Sequence, residues 1–162
     1  MDDDLAAHAR ELIEANRYLT LGTVDAGGRP WTSPVYFTAD DELRMFYWVS
    51  TETSQHSLNL AARPDVSLVV FDSTVPPYHG RCLYAVGTAK RLGGDDVRRG
   101  LAVYPGPESR GGSSMTVRDV TGSTPWRLFG ARVSALWALC PREPRRPCER
   151  HGRADDHRQQ IR

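Results

Sequence analysis

Phe46-Tyr47-Trp48-Val49-Ser50-Thr51-Glu52-Thr53-Ser54-Gln55-His56-Ser57-Leu58-Asn59-Leu60 reads as an aromatic strand that ends in a run of hydroxyls and then opens a helix carrying a histidine. That order has a chemical consequence. The first amides of a helix point N–H groups outward, and Ser/Thr hydroxyls beside them complete a cradle for a phosphate dianion. A histidine in the first turn adds a charge-assisted hydrogen bond when it is protonated. The same residues also suit a plainer purpose, with Thr53 or Ser54 as an ordinary helix cap and His56 on the surface.

Working outward, the chain alternates short β-rich runs with turn signals. Asp4 to Asn16 precedes them as an amphipathic helix, with Leu5, Ala9, Leu12 and Ile13 at helical spacing. Tyr18 to Val24 is a strand, and Asp25-Ala26-Gly27-Gly28 is a hairpin turn whose glycines can take positive φ. Arg29 to Thr38 returns as a strand whose two prolines suit a sheet edge. Leu43 to Val49 is the next strand, and Arg63-Pro64-Asp65 stops the helix that follows it. Val66 to Phe71 is almost continuously apolar, which predicts burial on both faces. Cys82 to Leu92 and Trp126 to Leu139 complete the strands, with a short helix over Asp95 to Tyr104. Pro105 to Ser114 is Gly, Pro and Ser-rich and predicts a mobile surface loop. Residues 1–140 therefore read as one domain, and residues 141–162 as an Arg/Pro-rich disordered tail. Six or so strands joined mostly by hairpins, with helices inserted between them, predict a mainly β, barrel-like fold.

Composition narrows the class. Of 162 residues, 40% are hydrophobic and 25% charged, and the formal net charge is +1. That balance gives no electrostatic reason to expect nucleic acid or a membrane surface as partner. The acidic start Met1-Asp2-Asp3-Asp4 does not resemble a signal peptide. Three cysteines (Cys82, Cys140, Cys148) without C-x-x-C spacing point to a reduced, cytoplasmic setting, with neither disulfide framework nor metal site expected. The five histidines are scattered, and P-loop, G-x-G-x-x-G, H-E-x-x-H and G-x-S-x-G motifs are all missing from the sequence.

From Tyr18 to about Leu92 the sequence resembles the pyridoxamine 5′-phosphate oxidase-like, FMN-binding split β-barrel family. The resemblance rests on the order of Leu21-Gly22-Thr23, Gly28-Arg29-Pro30, Pro34-Val35-Tyr36-Phe37, Phe46-Tyr47-Trp48-Val49-Ser50, Ser54-Gln55-His56 with Asn59-Leu60, and Arg63-Pro64-Asp65 running on to Phe71. Arg127-Leu128-Phe129 resembles the family's final barrel strand. The resemblance implies a homodimer with FMN at the subunit interface. It places Ser33, Pro34, Val35 and Tyr36 beside the isoalloxazine ring, with main-chain groups toward its polar edge. Trp48, Val49, Ser50 and Thr51 would flank the ribityl chain, and Ser54, Gln55 and His56 would complete the phosphate site, with Asn59 behind. Where this chain has Gln55 and His56, the oxidase itself carries arginine and lysine. The resemblance therefore implies weaker FMN binding that tightens at low pH if His56 titrates.

The oxidase's C-terminal Arg-x-His pattern has no counterpart in Gly130-Ala131-Arg132-Val133-Ser134-Ala135-Leu136-Trp137. The expected activity is therefore that of an oxidoreductase acting on another small organic molecule, with the flavin supplying the hydride chemistry. Two alternatives stand beside it: an F420-dependent reductase of the same fold, and a non-catalytic flavin carrier. Of Trp31, Trp48, Trp126 and Trp137, Trp48 and Trp126 are best placed in sequence to stack on a flavin, although for each taken singly barrel core or a dimer interface is the favoured reading.

Overall fold

The computed structural model describes residues 3–161, so Met1, Asp2 and Arg162 lie outside it. Among the described residues eight strands form one sheet: β1 (Tyr18–Val24), β2 (Pro30–Tyr36), β3 (Thr38–Ala39), β4 (Met45–Thr51), β5 (Asp65–Phe71), β6 (Cys82–Arg91), β7 (Trp126–Leu139) and β8 (Arg158–Gln160). Their order is β2-β1-β5-β6-β7-β4-β3, with β8 also paired to β7, and every pairing is antiparallel. The sheet curls into a split half-barrel. Among the described residues three α-helices accompany it, α1 (Asp3–Ala15), α2 (Gln55–Ala62) and α3 (Asp95–Leu101), with two short 3-10 turns. Among the described residues no helix is long and apolar enough to cross a membrane.

The core follows from the alternation of side chains along each strand. Leu19 and Leu21 of β1, Phe46 and Trp48 of β4, Leu68 and Val70 of β5, and Phe129 and Ala131 of β7 meet inside the curl. Helix α1 closes one side by burying Leu5, Ala9, Leu12 and Ile13. The opposite face of β4 carries Tyr47, which joins Leu92, Val97, Tyr104 and Leu128 in a second cluster, so β4 is covered on both sides. Between Val86 and Gly87 the β6–β7 register shifts. A Cβ at Gly87 would stand 2.1 Å from the Arg132 carbonyl oxygen, so only glycine lets the two backbones meet there.

Four sequence expectations change. Strand β5 alternates exposed and buried residues rather than being buried on both faces, and Phe71 is half exposed. Strand β4 begins at Met45, because the Asp40 carboxylate accepts the Arg44 amide at 2.7 Å and holds Leu43 in a turn with φ 56°.

The 105–114 loop is pinned. Arg110 is 7% exposed and donates to the carbonyls of Ile13, Glu14 (3.3 Å), Asn16 (2.9 Å) and Phe37 (2.8 Å). The segment after residue 140 is also docked: β8 extends the sheet and Ile161 enters the main core. Low apolar content misled there, because the tail is held by a few specific contacts.

Candidate functional site

The strand-to-helix segment places its polar residues together. Ser50 lies at the end of β4, on the same face as Phe46 and Trp48, and Ser54 stands at the start of α2. Ser54 does not cap the helix with its side chain, which leaves the first-turn amides open to another acceptor. Its hydroxyl instead bonds to Thr51 O (3.0 Å) and lies 2.8 Å from Ser57 Oγ and 3.1 Å from Ser50 Oγ.

His56 sits inside this group, 8% exposed. Its Nε2 is 2.9 Å from Ser50 Oγ and 3.1 Å from Ser54 Oγ. Nδ1 is 3.2 Å from Ser33 Oγ on β2, and Ser33 also accepts the Trp31 indole N–H at 3.0 Å. Behind them, Gln55 donates to Asn59 Oδ1 (2.8 Å), and Asn59 donates to Thr23 Oγ1 on β1 (2.9 Å). Four hydroxyls, one imidazole and the start of a helix thus converge where β1, β2, β4 and α2 meet. This donor set fits a phosphate monoester.

Not every residue expected at the site joins that group. Val35 is in the core, and so is Trp48, fully buried and stacked on Phe129 at 5.9 Å. The Trp48 indole is therefore a core side chain, the reading favoured for it in sequence over stacking on a ligand. Tyr36 turns toward Tyr18 and Tyr104 and donates its hydroxyl to Pro105 O at 2.7 Å. Pro34 is exposed on the edge strand β2, Val49 is partly buried against the second cluster, and Thr51 pairs with the half-exposed Trp126.

Sequence reasoning missed Glu52, whose carboxylate projects from the hydroxyl-rich loop. Arg91 pairs with it, and Arg127 Nε lies 3.1 Å from it. Arg127 neighbours Ser50 through the β4–β7 ladder, a pairing seventy-seven residues apart that only the sheet reveals. The two arginines offset a charge that would otherwise repel an anion.

Burial holds the His56 imidazole below its ordinary value of 6.5, so it is neutral at neutral pH. Its contribution to stability is present above the unfolded-state value of 6.5 and is lost as pH falls through the lower folded value. A bound phosphate dianion would favour the protonated ring and raise it again. Phosphate-ester affinity is therefore expected to climb as pH falls through the raised bound-state value and to level off below the lowered free-state value. Affinity measured against pH for the parent and for His56→Gln checks this, because the ligand's own protonation cancels in the difference. Identical curves would remove His56 from the binding equilibrium.

Residues 5–134 match the sequence profile described as Pyridoxamine 5′-phosphate oxidase. No curated protein sequence matches the chain. Among solved structures, the fold is similar to HutZ, the heme storage protein from Vibrio cholerae, with a TM-score of 0.63 at 21% identity, covering 83% of this chain and 94% of that one. It is also similar to a heme binding protein from Mycobacterium smegmatis, with a TM-score of 0.64 at 18% identity, covering 96% of this chain and 57% of that one. An F420 reductase shares the fold with a TM-score of 0.52 at 22% identity, covering 78% of this chain and 94% of that one. At such identities these likenesses are of fold. The profile match spans most of the chain, and with the split half-barrel it establishes that the chain belongs to the pyridoxamine 5′-phosphate oxidase family.

Proposed function

We propose that the chain is a flavin-dependent oxidoreductase that seats the phosphate of FMN against Ser50, Ser54, Ser57 and His56 at the start of α2. The observation that carries this reading is the convergence of those side chains on an α2 N-terminus that Ser54 does not cap. Edge strand β2 lies beside this group through Ser33 and offers main-chain groups to the flavin ring. When bound, the flavin exchanges a hydride with the substrate, and the protein supplies position and electrostatics. The substrate is a small organic molecule other than pyridoxamine 5′-phosphate, because β7 carries no Arg-x-His pair. F420 is the second cofactor reading, favoured by the fold shared with the F420 reductase.

The visible spectrum of the purified protein, with the mass of any released chromophore, tests the proposal. A flavin spectrum and FMN mass would support it, and reduction of the bound flavin by NAD(P)H would separate an enzyme from a carrier. A Soret band without flavin would replace it with haem binding, the property named for the Vibrio and Mycobacterium proteins. Protein that takes up neither FMN nor F420 on titration would overturn it.

The cofactor site is proposed to be completed in a homodimer. The outer face of the sheet supports this, since Thr20, Val69, Tyr84 and Trp137 lie in one row across β1, β5, β6 and β7. Gly22, Ser67, Val86 and Ala135 form the next row, and Val86 is 40% exposed. Small and apolar outward rows on a sheet suit self-association. Val86→Glu is expected to turn a dimer into a monomer in light scattering and to weaken FMN binding with it. A monomeric variant with unchanged FMN affinity would show that the interface does not contribute to the site.

A further inference from the structure

At the opposite end of β7 from the hydroxyl cluster, beyond the segment matched to the family, four candidate metal ligands meet. They are Cys140, Cys148, His151 and His157, in the pattern C-x7-C-x2-H-x5-H. Their ligand atoms all lie within 4.8 Å of one another. Cys148 Sγ is 3.4 Å from His157 Nε2 and 3.5 Å from His151 Nδ1. His151 Nδ1 is 3.5 Å from Cys140 Sγ and 3.2 Å from His157 Nε2.

A tetrahedral zinc ion bound at about 2.3 Å from sulfur and about 2.0 Å from nitrogen has S···N edges of roughly 3.5 Å and N···N edges of roughly 3.3 Å. The four measured separations match those edges. The two thiol S–H groups could donate to the two imidazole nitrogens, but a single cation meets all four ligand atoms at once.

The surroundings are organised for the same purpose. The β7–β8 ladder sets Leu139 opposite Arg158, and the Cys140 amide donates to His157 O at 2.9 Å, so two ligands come together at a strand end. The other two sit on a tight loop. Within it Gly152 (φ 63°) donates to Cys148 O at 2.9 Å, and the Cys148 amide donates to Arg153 O at 2.8 Å. The His151 amide donates to Cys148 Sγ at 3.2 Å, as suits a thiolate ligand. His157 Nδ1 is bonded to Asp155 O at 2.9 Å, which fixes the tautomer and leaves Nε2 for the metal.

Apolar burial contributes little to holding this segment. From residue 141 to 160 only Cys148 and His157 are buried, so there is almost no apolar burial to offset the ordering of the chain.

We propose that Cys140, Cys148, His151 and His157 bind one structural Zn2+ ion, and that this ion clasps residues 141–161 onto the barrel. Binding releases the protons of the two thiols to solvent and changes no oxidation state. The expectation of a tail without metal is thereby replaced. Residues scattered along the sequence become one site only when β8 pairs with β7.

The test uses the full chain purified without a polyhistidine tag. Elemental analysis is expected to give one zinc per chain. After removal of zinc by a chelator under reducing conditions, Co2+ titration is expected to give the visible bands of a tetrahedral site with sulfur-to-cobalt charge transfer, saturating at one equivalent. Cys148→Ser is expected to lose the zinc and the cobalt signal and to expose the tail arginines to trypsin. Cys82→Ser, outside the cluster, should keep all three properties.

If Cys148→Ser fails to fold, the cobalt titration of the parent protein still decides. Reduced, folded protein that takes up neither Zn2+ nor Co2+ would overturn the proposal. So would a Cys140–Cys148 disulfide, seen by intact mass and persisting when the protein is prepared with zinc present.

Discussion

Replacing Arg110 with methionine is expected to destabilise the fold by about 3 kcal/mol or more and to loosen the 105–114 loop, although it removes no contact to the proposed ligand. Three of the carbonyls that Arg110 serves, those of Ile13, Glu14 and Asn16, belong to the last turn of α1 or the residue just beyond it. A helix leaves its final carbonyls without intrahelical donors, and a cation there also complements the negative end of the helix dipole. The last turn of α1 contains no basic residue. Arg110 supplies the missing charge from 94 to 97 residues away. Its fourth bond, to Phe37 O, ties the same guanidinium to the chain linking β2 and β3, and the group lies 5.3 Å over the Phe37 ring.

Methionine keeps much of the side-chain volume but leaves buried carbonyls unpaired, at about 1–3 kcal/mol each. For a chain of this size the melting temperature should fall by roughly 6–12 °C. Urea unfolding and limited proteolysis at the loop measure both effects. A melting temperature within a degree or so of the parent would mean that water replaces the guanidinium at little cost. Arg110→Lys should fall between the two, because an ammonium group cannot reach four carbonyls with a planar fork.

The second large effect is expected from Ser54→Asp. Aspartate is as good a helix cap as serine, so α2 should be retained and overall stability little changed. Its carboxylate, however, would stand where the Ser54 hydroxyl now meets Ser50, His56 and Ser57. Two unit charges about 4 Å apart near a protein surface repel by about 4 kcal/mol. FMN affinity should therefore fall at least a hundredfold, even after screening by salt. Riboflavin, which has the same ring but no phosphate, should bind parent and variant alike. Equal losses for both ligands would point to a damaged ring site rather than a phosphate seat. Unchanged FMN affinity would place the phosphate elsewhere.

Much of this protein is legible in local pattern. The helical spacing of Leu5, Ala9, Leu12 and Ile13 specifies α1, and all six of the longer strands lie where β-rich runs alternate between turn signals. The two prolines of β2 predict an edge strand, and β2 is one. The run from Phe46 to Leu60 shows a strand, a hydroxyl cluster and a helix in that order, and those hydroxyls do gather around His56. Such features are local because strand and helix periods depend on neighbours a few residues apart.

Tertiary structure decided what depends on distant partners. Trp48 and Ser50 both face inward along β4, but Trp48 is sealed beneath Phe129 while Ser50 reaches His56, and no local pattern separates them. Arg110 looks like a loop arginine until the end of α1 is brought against it. Burial, which exists only in the folded chain, makes His56 a neutral imidazole at neutral pH. Cys140 and His157 are far apart in sequence and become neighbours only because three residues of β8 pair with the end of β7. The sequence determined the elements, since each is specified by residues close along the chain. The sites were decided by the sheet, since hydrogen-bonded pairing between distant strands sets which side chains share a few ångströms of space.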